Sequence, residues 1–243
     1  MRTLSPAFAV LLAAFALVTA AGCSSEKKLQ EHLANGARYF AEGDYEKAEI
    51  EYRNVVQLDG TSAEAISKLG IIYYDQGRIS MTGPYLARAV ELNADDLAAR
   101  AKLGFLQLAI NQRNEARDHA LYILERQPDH AEAPILLAES ARTPEEVEAA
   151  RTRLQALPAS ATSQPPVLTA LASLDLRVDR LEEARGSLER ALQQDANFSP
   201  AHAALAFYHR RSNNLEEAGR SLERASATAA PRSTRRTLHA QFL

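Results

Sequence analysis

The chain has 243 residues, 46% of them hydrophobic, with no Trp and only ten Gly and ten Pro. That composition fits an Ala- and Leu-rich helical protein and excludes a disordered chain or a turn-rich sandwich. A formal charge of −3 argues against a nucleic-acid binder with a net basic surface, and a single cysteine excludes a disulfide framework or a multi-cysteine metal site.

The N-terminus accounts for that cysteine. Arg2 supplies a positive charge, and Ala7 to Ala21 is apolar apart from Thr19. The run is too short to span a membrane comfortably and has the proportions of a signal-peptide core. Ala20-Ala21-Gly22-Cys23 follows, with Ser24 after it. Small residues before a cysteine resemble the bacterial lipobox, although Ala20 stands where Leu is most frequent. The resemblance implies a signal peptide over residues 1–22 and acylation of Cys23, with palmitate among the attached chains. Two or three acyl chains, at about 0.8 kcal/mol per buried methylene, would anchor the protein stably. Ser24, in place of Asp, resembles an outer-membrane address. The alternative is a secreted, non-lipidated protein whose cysteine is incidental. Residues 23–28 then read as a polar tether.

From Leu29 onward a very small residue recurs every 34 positions: Gly36, Gly70, Gly104, Ala138, Ala172 and Ala206. A second ladder, Ala48, Thr82, Ala116, Ala150, Ala184 and Ala218, keeps the same step. A third, Asn35 and then Leu69, Leu103, Leu137, Leu171 and Leu205, precedes the first by one residue. The small residue of helix A lets helix B approach closely, with the Ala ladder of helix B as the expected other half of the contact. Further along helix B, Tyr52 and Val55, Leu86 and Ala89, Leu154 and Leu157, and Leu188 and Ala191 share one helical face. Gly43, Gly77, Asn111, Asp179 and Asn213 mark the mid-repeat turn, where left-handed backbone is needed. Thr61 with Glu64, Asp129 with Glu132, and Thr143-Pro144 with Glu146 read as capping boxes, and Ser199-Pro200 as a cap followed by a first-turn proline.

This pattern is similar to the tetratricopeptide repeat (TPR) and covers residues 29–232. The resemblance implies an all-α, right-handed α-solenoid of six helix–turn–helix repeats: 29–62, 63–96, 97–130, 131–164, 165–198 and 199–232. Three departures stand out. Thr82-Gly83-Pro84 should delay or kink helix B of repeat two. Thr143-Pro144 cuts helix A of repeat four short, and the stretch Ala159 to Pro166 reads as the weakest joint. Residues 233–243 continue the register as far as Ala240, so they are either a capping helix or the start of a truncated seventh repeat.

In this family the residues of helix A at repeat positions 2, 5, 9, 12 and 13 line the concave surface. Carried onto this chain they include Leu33, Phe40, Ile71, Tyr74, Phe105, Leu108, Ile135, Glu139, Arg142, Leu176, Arg177, Phe207, Arg210 and Arg211. The front of that groove is apolar and aromatic; the back is mixed and basic. Leu33 and Ala37 stand where a clamp for a terminal carboxylate would need polar groups, which speaks against that use. The expected groove accepts an extended or helical apolar segment on aromatic anchors; packing between repeats is the competing use of each aromatic. Arg210, Arg211, Arg232, Arg235 and Arg236 suit an acidic partner or lipid headgroups, against a default of a solvated face.

Catalytic signals are missing. The histidines His32, His119, His130, His202, His209 and His239 form no ligand pair, and there is no phosphate-binding glycine loop or nucleophile elbow. The expectation is a non-enzymatic scaffold without metal or cofactor. It would bind proteins or peptides, with no nucleic acid or small-molecule substrate, from a lipid anchor in the outer membrane facing the periplasm. Envelope assembly, secretion or polymer export would be its setting. The chain resembles pilotins of type IV pili, and Gly43-Asp44-Tyr45-Glu46-Lys47-Ala48 resembles lipoproteins linked to exosortase sorting and exopolysaccharide export. The alternative is the N-terminal protein-binding module of a larger enzyme or transport component.

Overall fold

A computed structural model of the chain describes residues 25–229. Cys23, the preceding leader and residues 233–243 lie outside the described residues. Thirteen helices and no strand occur among the described residues. They are α1 (25–41), α2 (Tyr45–Leu58), α3 (Ala63–Asp75), α4 (Ile79–Leu92), α5 (Leu97–Ala109), α6 (Arg113–Arg126), α7 (Ala133–Ser140), α8 (Pro144–Gln155), the single turn α9 (Ala159–Thr162), α10 (Pro165–Arg177), α11 (Leu181–Gln194), α12 (Ser199–Arg211) and α13 (Leu215–Thr228). Residues 25–28, expected as a tether, are already part of α1.

The helix pairs are set by their turns. Every left-handed residue among those described is one of five: Gly43 (φ 75°), Gly77 (φ 70°), Asn111 (φ 65°), Asp179 (φ 58°) and Asn213 (φ 58°). At each, the next N–H turns back to the carbonyl five residues earlier, as in Arg78 to Tyr73 (2.8 Å) and Gln112 to Gln107 (2.8 Å). These are Schellman closures, which satisfy the last carbonyls of helix A and aim the chain into helix B. The fourth pair has no such turn. Its register position falls on Glu145, already inside α8, because the Thr143–Glu146 capping box starts that helix early.

The other expected caps form differently. Ser62, not Thr61, precedes α3 and makes no capping bond, because the Thr61 hydroxyl donates to Asp59 instead (2.7 Å). At α7 the His130 ring, not Asp129, accepts from the Glu132 and Ala133 N–H groups (3.1 and 3.2 Å). Ser199 is the first residue of α12 rather than its cap, and its hydroxyl donates to the Ala225 carbonyl (2.7 Å). Helix α4 begins in register at Ile79 with Pro84 inside it, so no late start occurs. Pro84 lies on the exposed side, and the buried Thr82 hydroxyl donates back to the Arg78 carbonyl (3.0 Å).

The core is a strip, as stacked repeats require. The helix-B ladder is buried throughout, and Tyr52, Leu86, Leu154 and Leu188 are fully enclosed. The close approach at the glycines involves these larger residues, a correction to the expected Gly–Ala pairing. A Cβ on Gly36 would lie 2.9 Å from the Tyr52 ring, and one on Gly70 would lie 2.7 Å from Leu86. One turn of helix separates the Ala ladder from these side chains, so alanine supplies clearance while the larger residue covers the glycine. The Ala159–Pro166 stretch is also not a loose joint. Leu157, Ala161 and Val167 are buried in one cluster with Leu136, Leu154 and Leu174, which carries the core from α7 and α8 into α10.

Candidate functional site

Successive helices A touch one another (α3 on α5, α5 on α7, α7 on α10, α10 on α12), while the helices B stay further apart. The A layer is therefore the inner side of the array. Along it, repeat position 12 is held by Phe40, Tyr74, Leu108, Arg142, Leu176 and Arg210, with Arg142 falling just past the end of α7. It is aromatic at Phe40 and Tyr74, aliphatic at Leu108 and Leu176, and cationic at Arg142 and Arg210.

The front of the column is built from aromatic–cation pairs. Phe40 stacks on Tyr45 (centroids 5.2 Å apart), and the Lys68 ammonium lies 4.6 Å from the Phe40 centroid. One repeat later Lys102 lies 5.4 Å from the Tyr74 ring while also pairing with Glu132 at 2.6 Å. An ammonium over a ring face gains from the ring's quadrupole. Between α3 and α5 a cleft of about 370 Å³ opens, lined by Ala63, Glu64, Ser67, Lys68, Ile71, Asn93, Asp96 and Ala98. Lys68 thus borders both the cleft and the first ring.

The expected lining residues divide by burial. Leu33, Phe40, Tyr74, Phe105 and Leu108 are half-buried, each presenting part of its side chain. Ile71 is 7% exposed and forms part of the cleft lining. Ile135, 6% exposed, is packed away and offers almost no surface, since α7 is flanked by both α5 and α10. Phe207, in contrast, is 52% exposed, with the Arg210 guanidinium 5.0 Å from its centroid. Phe105 and Leu108 also pack against the central cluster, so inter-repeat packing and surface display are both met by the same side chains.

Behind the aromatic front, cations gather at the end of α7. Arg113 donates to the Glu139 carbonyl (2.8 Å), Arg117 to Ser140 (3.5 Å) and Arg177 to Ala141. Arg117 is neutralised by Glu146 at 2.6 Å. The helix-A pattern had marked Arg142 and Arg177 but neither Lys68, Lys102 nor Arg113. The 34-residue step from Lys68 to Lys102, matching Phe40 to Tyr74, is the signal that could have found the lysines.

A second cleft, about 430 Å³, lies between α8, α10 and α11 and is lined by Arg151, Gln155, Leu171, Asp175, Glu183, Gly186, Ser187 and Arg190. Its floor is structural in kind: Asp175, 2% exposed, pairs with Arg151 and faces Arg180 at 3.8 Å. Among the described residues no group of three or more His, Cys, Asp or Glu is placed to hold a metal ion, and no helix is long and apolar enough to cross a membrane.

Comparison with known proteins bears on the fold. The family profile for the TPR repeat matches residues 36–77. No curated protein sequence matches the chain. Among solved structures, PilF of Pseudomonas aeruginosa is similar at TM-score 0.58 and 14% identity, over 90% of this chain and 98% of that one. A thermophilic TPR protein of Thermus thermophilus gives TM-score 0.58 and 21% identity over 74% and 98% of the two chains. A tetratricopeptide repeat protein of Parabacteroides merdae gives 0.56 and 10% over 89% and 99%. The chain is an all-α solenoid of tetratricopeptide helix pairs.

Proposed function

We propose that the protein is a lipid-anchored scaffold that holds partner proteins along the inner face of its helices A, in envelope assembly, secretion or polymer export. The observation carrying the binding face is the column of half-buried aromatics, Phe40 and Tyr74, each with a lysine set over its ring. Half-buried rings already held by their neighbours lose little freedom when a partner covers the part still exposed, which is how anchors contribute to affinity. The anchor rests on Ala20-Ala21-Gly22-Cys23 alone.

Two measurements test this reading. Pull-down from the native envelope should recover partners with wild type that are lost with Tyr74→Ala plus Phe105→Ala, the variant keeping its helical circular dichroism. Retention of every partner by the folded variant removes the binding face. Metabolic labelling with a clickable palmitate analogue should mark wild type and not Cys23→Ser; equal labelling, or none on wild type, removes the anchor.

A further inference from the structure

Helix α1 is already formed at Ser25, and in sequence only Ser24 separates that residue from Cys23. Two peptide units span at most about 7.6 Å between Cα atoms. A lipid on Cys23 therefore holds the described start of α1 at the membrane surface, with no flexible tether to let the array stand off.

The pairing of α1 with α2 decides which end of the first repeat meets that surface. Phe40 stacks on Tyr45, a Cβ on Gly36 would touch the Tyr52 ring, and His32 Nδ1 lies 2.6 Å from the Glu51 carboxylate. The two helices are thus antiparallel, and the start of α1 lies beside the end of α2. Leu58, at that end of α2, is 44% exposed, and Lys27 and Lys28 are exposed at the start of α1. Charge separates this edge from the rest of the repeat. Over residues 29–62 seven Asp and Glu stand against three Lys and Arg. Each of the three cations is paired: Arg38 with Glu42 (3.2 Å), Lys47 with Asp44 (2.7 Å) and Arg53 with Glu49 (3.9 Å). Lys27 and Lys28 have no carboxylate within ion-pair distance among the described residues. Asp59, at the end of α2, is engaged by the Thr61 N–H and hydroxyl (2.9 and 2.7 Å).

Building on the lipid anchor read above, we propose that this edge of the first repeat, Lys27, Lys28 and Leu58, rests on anionic phospholipid headgroups. The ammonium groups meet lipid phosphate, and the Leu58 side chain enters the interface. An anionic surface repels the acidic remainder of the repeat, so the lysine edge is the one that faces it. The lipid fixes one point of the array; the lysines add the second contact that sets its orientation. Helix α1 rises about 1.5 Å per residue, which places Phe40 about 22 Å from Ser25 and at most about 30 Å from the acylated residue. The front of the inner face is thereby held close to the bilayer, within reach of membrane-bound partners.

The test uses the acylated full chain on vesicles of phosphatidylcholine with phosphatidylglycerol, and on vesicles of phosphatidylcholine alone. A fluorophore is placed on Gln57→Cys, an exposed site at this edge, or on Glu182→Cys, exposed at the start of α11, and is quenched by headgroup spin-labelled lipid. The label at position 57 should be quenched several-fold more than the label at position 182. Inserting about twelve Gly and Ser residues after Cys23, a reach of roughly 17–21 Å, should preserve most of that quenching on the anionic vesicles and little of it on phosphatidylcholine. Adding Lys27→Glu and Lys28→Glu to the linker should abolish the difference; both lysines are exposed, and circular dichroism checks that the variant is folded. Equal quenching at the two positions, or linker variants that behave alike on both vesicles or keep their quenching after charge reversal, would overturn the headgroup contact. Flotation on phosphatidylcholine vesicles reads the anchor separately, and should carry wild type and leave Cys23→Ser behind. Where flotation holds and quenching fails, the anchor stands without the contact. If wild type does not float, or Cys23→Ser floats equally, the anchor and this inference fall together.

Discussion

Alanine should stabilise the chain at one glycine and fail to do so at another. Gly70 lies inside α3, where an added Cβ would meet the Leu86 side chain at 2.7 and 3.0 Å and the Leu86 main-chain nitrogen at 3.1 Å. Leu86 is fully buried, so neither its side chain nor its backbone can yield without disturbing α4. Gly186 lies inside α11, and a Cβ there meets nothing within 4 Å. Both substitutions gain about 1 kcal/mol of helix propensity. Only Gly70→Ala also incurs overpacking, about 1–3 kcal/mol. Gly186→Ala should therefore be stabilised by about 1 kcal/mol, and Gly70→Ala should range from neutral to about 2 kcal/mol less stable than wild type. Gly104→Ala should behave like Gly70→Ala, because its Cβ would lie 2.5 Å from the side chain of Leu136, which is also fully buried. Urea unfolding followed by far-ultraviolet circular dichroism reads these differences as shifts in midpoint at unchanged slope. If Gly70→Ala were stabilised as much as Gly186→Ala, the close approach of helices A and B could not be the reason for glycine at that position.

The left-handed turns make a second prediction. Asn111 has φ 65°, so Asn111→Ala should cost about 1 kcal/mol while Asn111→Gly should be neutral or slightly stabilising, read from the same urea midpoints. Acid should weaken the middle of the array before carboxylates titrate. Burial holds His119 and His130 below the ordinary imidazole pKa of 6.5, with Arg100 adding to the effect at His119. His130 must stay neutral to accept the α7 N–H groups through Nδ1. A depressed histidine binds more protons unfolded than folded, so its stabilisation is complete above pH 6.5 and is lost as pH falls towards the folded value. The urea midpoint should drop between about pH 7.5 and 5.5. A flat profile would contradict the neutral cap.

Much of this fold was legible because its information is local and repeated. The left-handed positions Gly43, Gly77, Asn111, Asp179 and Asn213 stood out because few residues tolerate positive φ, and the 34-residue step repeated them. The buried faces of α2, α4 and α11 followed from helical spacing alone. Caps were less legible. Thr61 and Asp129 had the right residue types at the right spacing, yet the Thr61 hydroxyl went to Asp59 and His130 displaced Asp129. A capping bond is a competition among several nearby acceptors, and spacing does not decide it.

The candidate site was legible only in its columns. Sequence placed Phe40, Tyr74, Leu108, Arg142 and Arg210 at one repeat position, because a fixed period on helices brings equivalent residues to one face. It also determined the helical class, the register of the pairs and the signature around Cys23. Tertiary structure decided how much of each side chain remains outside: Ile135 vanishes between neighbouring helices while Phe207 stands half exposed. It also decided that Lys68 and Lys102 lie over rings from the preceding repeat, and that Arg113 and Arg177 meet at the end of α7. Those contacts join residues about one or two repeats apart, where the distance between side chains depends on how neighbouring helices pack. A period can align residues along the array; only the packed helices bring a charge to a ring or a carbonyl.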